Sequence, residues 1–366
     1  MDSITQLLFG GVLAAAGFRR SLGRRAVIAG GAIATLPDLD VLADLVGQPS
    51  VIDIWLHHRG VTHSFPVTLV AGAAIGVAIW ATERYWAQGP KPQEIEDESA
   101  RSKARLWAWL WLGALCAVTH PLLDLFTSYG TQLLAPFSNA RFAVNAMPII
   151  DPVYSLPLLA VFLFALLTRR HAAAAQRAAQ LALVYIGLYT TMAWGVGRHM
   201  EDRAREELRD SHPVAAAAAR VDAYPVIFQI FWRRIVADLP DEILIGFASP
   251  FRAAPIRWQR IPRPDTAPVL AAVQATHEAR VLRWFADGRL HWRLLPDPAP
   301  QTAGGFIVEA RDYRYGLPGD SILGFWGLRF RTDAQGRMLE APAPLAERPP
   351  FSRAGLRELY DGLLGR

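Results

Sequence analysis

Residues 106–125 read LWAWLWLGALCAVTHPLLDL. About 20 mostly apolar residues are enough to cross the hydrocarbon core of a bilayer as an α-helix. Near the end of this run stand His120 and Asp124, and their spacing of four places both side chains on one face of a helix. Ionisable groups are costly next to hydrocarbon, so the run predicts a membrane span that carries part of a functional site.

The first 200 residues contain about six such apolar runs. They cover Ile4–Phe18, Ala26–Leu36 continuing to Val46, Phe65–Trp80, Leu106–Leu125, Val153–Thr168 and Ala179–Val196. Between the third and fourth runs, the charged stretch Glu83–Arg105 predicts a solvated loop. We therefore expect residues 1–200 to form an all-α polytopic membrane domain of about six helices.

The composition favours the same class of protein. Of the 366 residues, 52% are apolar and 19% are charged, whereas a soluble domain has about 25% charged residues. The net charge of +5 lies largely in short clusters between apolar runs, which indicates membrane topology better than nucleic-acid binding. With the single cysteine Cys116, the chain has neither an internal disulfide nor a cysteine-based zinc site.

Lysine and arginine residues cluster in three alternate loops, after the first, third and fifth runs. They are Arg19, Arg20, Arg24 and Arg25; Arg84, Lys91, Arg101, Lys103 and Arg105; and Arg169, Arg170 and Arg177. Positive charge is enriched in cytoplasmic loops. We therefore expect a multi-pass membrane protein, with the loops after the second and fourth runs and the C-terminal tail on the outer side of the membrane.

Residues 201–366 have a different pattern, rich in Arg, Pro and short alternating segments. Strands are predicted at Glu242–Ala248, Ala279–Phe285, Leu290–Leu295, Phe306–Ala310 and Gly324–Arg331. Turn sequences such as Asp333-Ala334-Gln335-Gly336 separate them. The tail is therefore predicted to be a small β-rich α+β domain outside the membrane.

Polar residues gather at the predicted outer ends of the runs. They are Asp38, Asp40, His57, His58, Arg59, His63, His120, Asp124 and Asp151. The predicted topology is drawn from the positions of lysine and arginine alone, yet it places all of these polar residues on one side of the membrane. Imidazole and carboxylate groups without a thiolate suit zinc, manganese, iron(II) or nickel. The sequence thus predicts a divalent metal ion, and we expect zinc.

The candidates have different expected roles. The expected main ligands are His58, His63, His120 and Asp124. Further ligands are Asp38 and Asp40, and additional ones are His57 and Asp151. Asp40 is also the expected general base, and Arg59 is expected to bind a developing anion. Because His58 and His63 do not share a helical face, they require a loop that leads into a helix capped by Thr62 or Ser64. Alternatively, His57 is an interfacial hydrogen-bonding residue, and Asp151 only starts a helix. Asp38 and Asp40 could likewise serve as helix caps instead of site residues.

Several motifs resemble the YdjM-like family (DUF457) of bacterial inner-membrane proteins. They are Met1-Asp2-Ser3-Ile4-Thr5-Gln6, Leu36-Pro37-Asp38-Leu39-Asp40-Val41-Leu42, His58-Arg59-Gly60-Val61-Thr62-His63-Ser64, Thr119-His120-Pro121-Leu122-Leu123-Asp124 and Asp151-Pro152-Val153-Tyr154. The resemblance implies a metal-dependent hydrolase of the bacterial inner membrane, so the outer side, with the C-terminal domain, is expected to be the periplasm.

From the site and the resemblance together, we expect a membrane-embedded hydrolase of a lipid or lipid-linked ester or phosphoester, with no nucleic-acid partner. Two alternatives stay open. One is a non-enzymatic membrane protein with a structural metal or polar cluster, and the other is a transporter or proton relay, since buried His and Asp residues serve those roles as well.

Overall fold

The computed structural model describes residues 1–41, 49–86, 95–211, 217, 219–264, 267–298, 304–316, 322–324, 326–345, 357 and 360–361. The chain divides into two compact units. The first comprises Met1–Gln48 and His57–Met192, and the second comprises Pro49–Leu56 and Ala193–Arg366. The second unit therefore includes a short segment that lies between two parts of the first along the sequence.

Helices occupy most of the described residues up to Ser211. They are α1 Ser3–Gly17, α2 Arg19–Leu22, α3 Arg25–Thr35, α4 Val51–His57, α5 Phe65–Trp86, α6 Ile95–Leu125, α7 Pro152–Leu167 and α8 Ala172–Ser211. Two 3₁₀ turns, Leu36–Leu39 and Val61–His63, connect α3 and α5 to the site described below.

Within the described ranges, three helical segments are long and apolar enough to cross a membrane: Phe65–Trp86, Ser99–Leu125 and Ala172–Asp210. Two shorter apolar helices, Ser3–Gly17 and Pro152–Leu167, accompany them. The prediction of a helical N-terminal region is confirmed, whereas the number of six spans stays a prediction. Part of the second run, residues 42–48, lies outside the described residues.

Small residues let the helices approach closely. A side chain added at Gly72 of α5 would collide with the backbone of Gly113 in α6, and one added at Gly10 of α1 would collide with Ala34 of α3. In lipid, helix association depends on such close packing because the solvent is as apolar as the helix surface. These contacts fix α1, α3, α5 and α6 as the frame of the first unit.

The loop predicted at Glu83–Arg105 is mostly wrong. Helix α5 continues to Trp86, and α6 begins at Ile95, while residues 87–94 lie outside the described residues. The charged residues favour a loop in the sequence, but polar residues also continue a helix beyond the hydrocarbon core of the membrane. The extension gives α6 a length of 31 residues.

The second unit is rich in sheet, as predicted. One antiparallel sheet has the order β1 Arg220–Pro225, β2 Arg233–Asp238, β3 Glu242–Ala248 and β4 Gln259–Pro262; the other has β5 Leu290–Pro296, β6 Phe306–Asp312, β7 Gly327–Thr332 and β8 Ala343–Pro344. Neighbouring strands in each sheet follow each other along the chain. The C-terminal part of α8 packs on the first sheet through Met200, Ala204 and Leu208.

The strand predicted at Ala279–Phe285 is wrong, because this segment is a helix. Two helices, α9 Pro268–Gln274 and α10 His277–Phe285, lie between the sheets in sequence. The buried residues of α10 are Ala279, Val281, Leu282 and Phe285, which follow a helical period of 3.6 rather than an alternation. Thr276 caps α10 by accepting a hydrogen bond from Ala279 N at 3.3 Å.

Candidate metal centre

Two groups of imidazole and carboxylate side chains lie side by side in the first unit and share His63. One contains Asp38, His63 and His120, and the other contains Asp40, His58 and His63. Within each group, one ligand atom per residue lies within 4.8 Å of the others. The structure thus brings together five residues that lie far apart in sequence.

The first group has the spacing of a metal site. Asp38 Oδ1 lies 3.2 Å from His120 Nε2 and 3.4 Å from His63 Nε2. Four tetrahedral ligands with bonds of about 2.0–2.1 Å to zinc lie roughly 3.3–3.4 Å from each other. Both distances from Asp38 Oδ1 therefore match the separation of two ligands on a common ion, and the ligand atoms of the group all lie within 4.8 Å of one another.

The tautomer of His120 supports this interpretation. Its Nδ1 lies 2.6 Å from the carbonyl oxygen of Ala34, to which it donates a hydrogen bond. In the neutral ring Nε2 then has a lone pair, and this buried atom has no hydrogen-bond partner among the described residues. An imidazole lone pair opposite the Asp38 carboxylate requires a proton or a cation between them.

Asp124 lies beside the first group without being one of its three members. Its Oδ2 lies 3.7 Å from His120 Nε2 and 3.8 Å from His63 Nε2. The opposite oxygen, Oδ1, contacts the α-amino group of Met1 and accepts a hydrogen bond from Gln6 Nε2 at 3.3 Å. The carboxylate is fully buried, so helix α1 supplies the polar contacts that its burial requires.

The turn before α5 orients the histidines. Arg59 has φ of 58°, a left-handed backbone that is uncommon for a residue with a side chain. The turn is closed by hydrogen bonds from Gly60 N to His57 O and from His63 N to Gly60 O. Ser64 then caps α5 by accepting from Val67 N at 3.4 Å, which confirms the predicted capped loop.

Arg59 itself lies within the cluster rather than at its surface. Its Nε is 3.1 Å from Asp124 Oδ2, its Nη1 donates to Thr127 Oγ1 at 2.8 Å, and its guanidinium lies over the Tyr129 ring. These contacts compensate the charge of Asp124. The expectation that Arg59 clamps a developing anion stays a prediction.

The second group centres on Asp40. Its Oδ1 lies 3.2 Å from His58 Nδ1, and its Oδ2 lies 3.4 Å from His63 Nδ1. Thr62 Oγ1 donates to Oδ2 at 3.1 Å. A carboxylate that holds the outer nitrogen of a metal-binding imidazole fixes its tautomer and orientation. Asp40 therefore holds both rings by Nδ1, which directs His63 Nε2 towards Asp38.

The site has a buried side and an open side. His63, His120 and Asp124 have 0% exposed side chains, whereas those of Asp38 and His58 are about one fifth exposed. Burial lowers the pKa of His63 and so favours the neutral ring that binds metal. Burial acts to raise the pKa of Asp38, but contacts with His120 and His63 lower it overall, so it stays ionised.

Three predicted ligands lie outside both groups: Asp124, whose contacts are given above, and Asp151 and His57. Asp151 caps α7 by accepting hydrogen bonds from Val153 N at 2.9 Å and Tyr154 N at 3.3 Å, and it accepts another from the Tyr189 hydroxyl at 2.9 Å. His57 has an exposed side chain. Neither position brings a ligand atom into the two groups.

Sequence reasoning missed the contribution of the chain start. Ser3 Oγ donates to Asp38 Oδ2 at 2.5 Å, and Gln6 and Met1 contact Asp124. The signal was present, since these polar residues stand before and within an apolar run. Asp2 caps α1 by accepting a hydrogen bond from Thr5 N at 2.9 Å.

Apolar spanning helices joined to a buried cluster of histidine and aspartate define a membrane protein with a candidate metal centre. The chain belongs to the YdjM inner membrane protein family, whose sequence model matches residues 1–200. All the candidate site residues lie in this matched region. The prediction of the family from the motifs is therefore confirmed.

One curated relative is the uncharacterized protein YfhP of Bacillus subtilis (strain 168). It is 29% identical to this chain over 116 residues, which are 32% of this chain and 29% of that protein. The similarity thus covers less than a third of either chain. No solved structure matches the chain.

Proposed function

We propose that this protein is a membrane-embedded, metal-dependent hydrolase. The observation that carries the proposal is the buried lone pair of His120 Nε2, which faces Asp38 Oδ1 at 3.2 Å. His63 and Asp124 complete a set of two imidazoles and two carboxylates, which suits zinc among the divalent ions. When bound, such an ion supplies a Lewis acid that lowers the pKa of a water molecule.

The second group supplies a proton acceptor beside that set. Asp40 was predicted as the general base, and it holds His58 through Nδ1 at 3.2 Å. With its proton on Nδ1, the neutral His58 ring has its lone pair on Nε2. We therefore assign proton transfer to the pair of His58 and Asp40. Positioned acid–base groups contribute roughly 10²–10⁴-fold to a rate.

Apolar residues at the open side favour a lipid or lipid-linked ester or phosphoester as substrate. Leu39 lies between the two aspartates of the site and Val61 lies between its histidines, and both side chains are 51% exposed. Exposed apolar side chains beside a polar site are typical of a surface that contacts a lipid or another apolar ligand. An acyl chain would lie along this surface with its ester directed to the metal.

The first test is the metal content of the full-length protein purified in detergent. We expect about one tightly held zinc ion per chain, and its loss in His63→Ala and in His120→Ala, since each removes one of four ligands. The matched control is His57→Ala, a neighbouring histidine outside both groups, which should retain the ion. Folded wild-type protein without metal would overturn the proposal.

The second test separates an enzyme from a structural metal cluster. The substrate is a nitrophenyl ester or phosphodiester with a long acyl chain, presented in mixed micelles. His58→Ala should retain its metal and lose at least about 10²-fold in turnover. If it instead loses metal and yield while wild-type protein shows no turnover with either substrate, the cluster is structural.

A further inference from the structure

A second polar cavity lies at the other end of the α5–α6 helix pair. Its volume is about 680 Å³, within the range of about 300–1,000 Å³ that is usual for small-molecule sites. The described residues that line it are Arg25, Trp80, Thr82, Glu83, Arg84, Trp86, Arg101, Ser102 and Arg105. Four arginines and one glutamate among these residues make the lining strongly basic.

Contacts with Glu83 hold part of this lining in place. The two carboxylate oxygens accept hydrogen bonds from Arg25 Nη1 at 2.5 Å and from Arg105 Nη2 at 2.6 Å, and Trp109 Nε1 donates to the second oxygen at 3.0 Å. A guanidinium carries about five N–H donors. Each of these arginines therefore keeps donors for a ligand while its position is fixed.

Arg84 is oriented from the other side of the cavity. Its Nη1 donates to Ser102 Oγ at 3.0 Å, and its guanidinium lies 5.7 Å from the centre of the Trp80 ring. The Trp80 indole in turn donates to the Ser102 carbonyl at 3.1 Å. The site is thus a preorganised set of guanidinium groups, the geometry that binds phosphate oxygens best.

The position along the helices indicates where the ligand comes from. Phe65 at the metal end of α5 and Arg84 in the cavity are about 19 residues apart, or roughly 29 Å along a helix. The hydrocarbon core of a bilayer is about 30 Å thick. If the metal centre lies at one membrane surface, the cavity lies at the headgroup level of the opposite surface, which is the predicted cytoplasmic side.

We propose that this cavity binds the phosphate of an anionic glycerophospholipid from the cytoplasmic leaflet. The arginines supply the charge, the indoles of Trp80 and Trp86 suit the interface between headgroups and acyl chains, and basic pockets between helices on this side favour anionic headgroups. The site is separate from the metal centre, so its occupancy does not require the proposed hydrolase activity.

The test is native mass spectrometry of the delipidated full-length protein in detergent. The probes are a short-chain phosphatidylglycerol, the matching phosphatidylcholine and inorganic phosphate. We expect at least tenfold tighter binding of phosphatidylglycerol than of phosphatidylcholine, and less than twofold preference in Arg84→Gln/Arg101→Gln. The matched control is Arg169→Gln/Arg170→Gln, two exposed arginines on the same predicted side but outside the cavity.

The double variant should keep the wild-type elution volume in size-exclusion chromatography, which shows that it is folded whether or not a metal is bound. If it does not, Arg25→Gln gives an independent test with a milder loss of the lipid preference. Equal binding of the two lipids by the wild-type protein would overturn the proposal. So would an equal loss in the control variant. Inorganic phosphate bound as tightly as phosphatidylglycerol would overturn the lipid assignment and identify a soluble anion as the ligand.

Discussion

The two units of this chain bury charge in different ways. In the second unit, the buried carboxylate of Asp312 accepts hydrogen bonds from Arg314 N at 3.0 Å, Nε at 3.1 Å and Nη2 at 2.7 Å. In the first unit, His120 Nε2 faces the carboxylate of Asp38 without a hydrogen bond. The first pair is complete by itself, whereas the buried Nε2 of His120 has no hydrogen-bond partner among the described residues. The comparison indicates a site where an imidazole lone pair faces a carboxylate, because these two groups pair only through a proton or a cation between them.

A larger network of buried charges lies around Arg289. Arg289 pairs with Asp222 and Asp238, and the Tyr313 hydroxyl donates to Asp238 Oδ2 at 2.6 Å. Burial lowers the pKa of Arg289 to about 10, so it stays charged at neutral pH. Burial and the bond to Asp238 raise the pKa of Tyr313 to about 12. These ion pairs and hydrogen bonds link residues of the first sheet to residues that flank strands of the second.

The largest effect should come from breaking the Asp312–Arg314 pair. Asp312→Asn leaves a buried guanidinium without its counter-charge, which costs about 3–5 kcal/mol. Hydrogen exchange of the β6 and β7 amides, in full-length protein, measures this loss as a lower opening free energy. The exposed Arg337 pairs with Asp333 at 2.7 Å, and Arg337→Gln should cost less than about 1 kcal/mol. Equal losses would show that the pair contributes nothing beyond a surface contact.

The next effect concerns pH and the Tyr313 network. Because the pKa of Tyr313 is raised from 10.0 to about 12 in the folded protein, its contribution to stability is complete below pH 10. It is lost as the pH rises from 10 to 12, by up to about 2–3 kcal/mol. Tyr313→Phe removes this titration. Its stability should change less than that of the wild type over the same interval, and parallel curves would contradict the assignment.

The smallest expected effect distinguishes the role of Asp40 from that of Asp38 in the metal centre. Asp40→Asn should weaken zinc binding by about 10–100-fold, as expected when a carboxylate that orients a ligand histidine is removed. Asp38→Asn should weaken it further, because Asp38 is itself a ligand. Competition with a chromogenic chelator measures both variants. If the two variants lose the same affinity, Asp40 is a ligand and the assignment of its role is wrong.

The sequence predicted the apolar helices because their signal is local. A run such as 106–125 needs no partner to indicate a span, and His120 and Asp124 follow from helical spacing alone. The error at Glu83–Arg105 arose where charge is compatible with both helix and loop. The strand predicted at Ala279–Phe285 is a similar case, since a short apolar segment fits two periods and only packing decides between them.

The sequence by itself determined which residue types meet the membrane, on which predicted side they gather, and that a metal rather than a thiol-based chemistry suits them. The tertiary structure decided which of them share a ligand position. The packing of α3 on α6 places Asp38 Oδ1 3.2 Å from His120 Nε2. Asp151 instead caps α7. Distances between segments depend on how side chains fill the space between helices, and this information is absent from any single stretch of the chain.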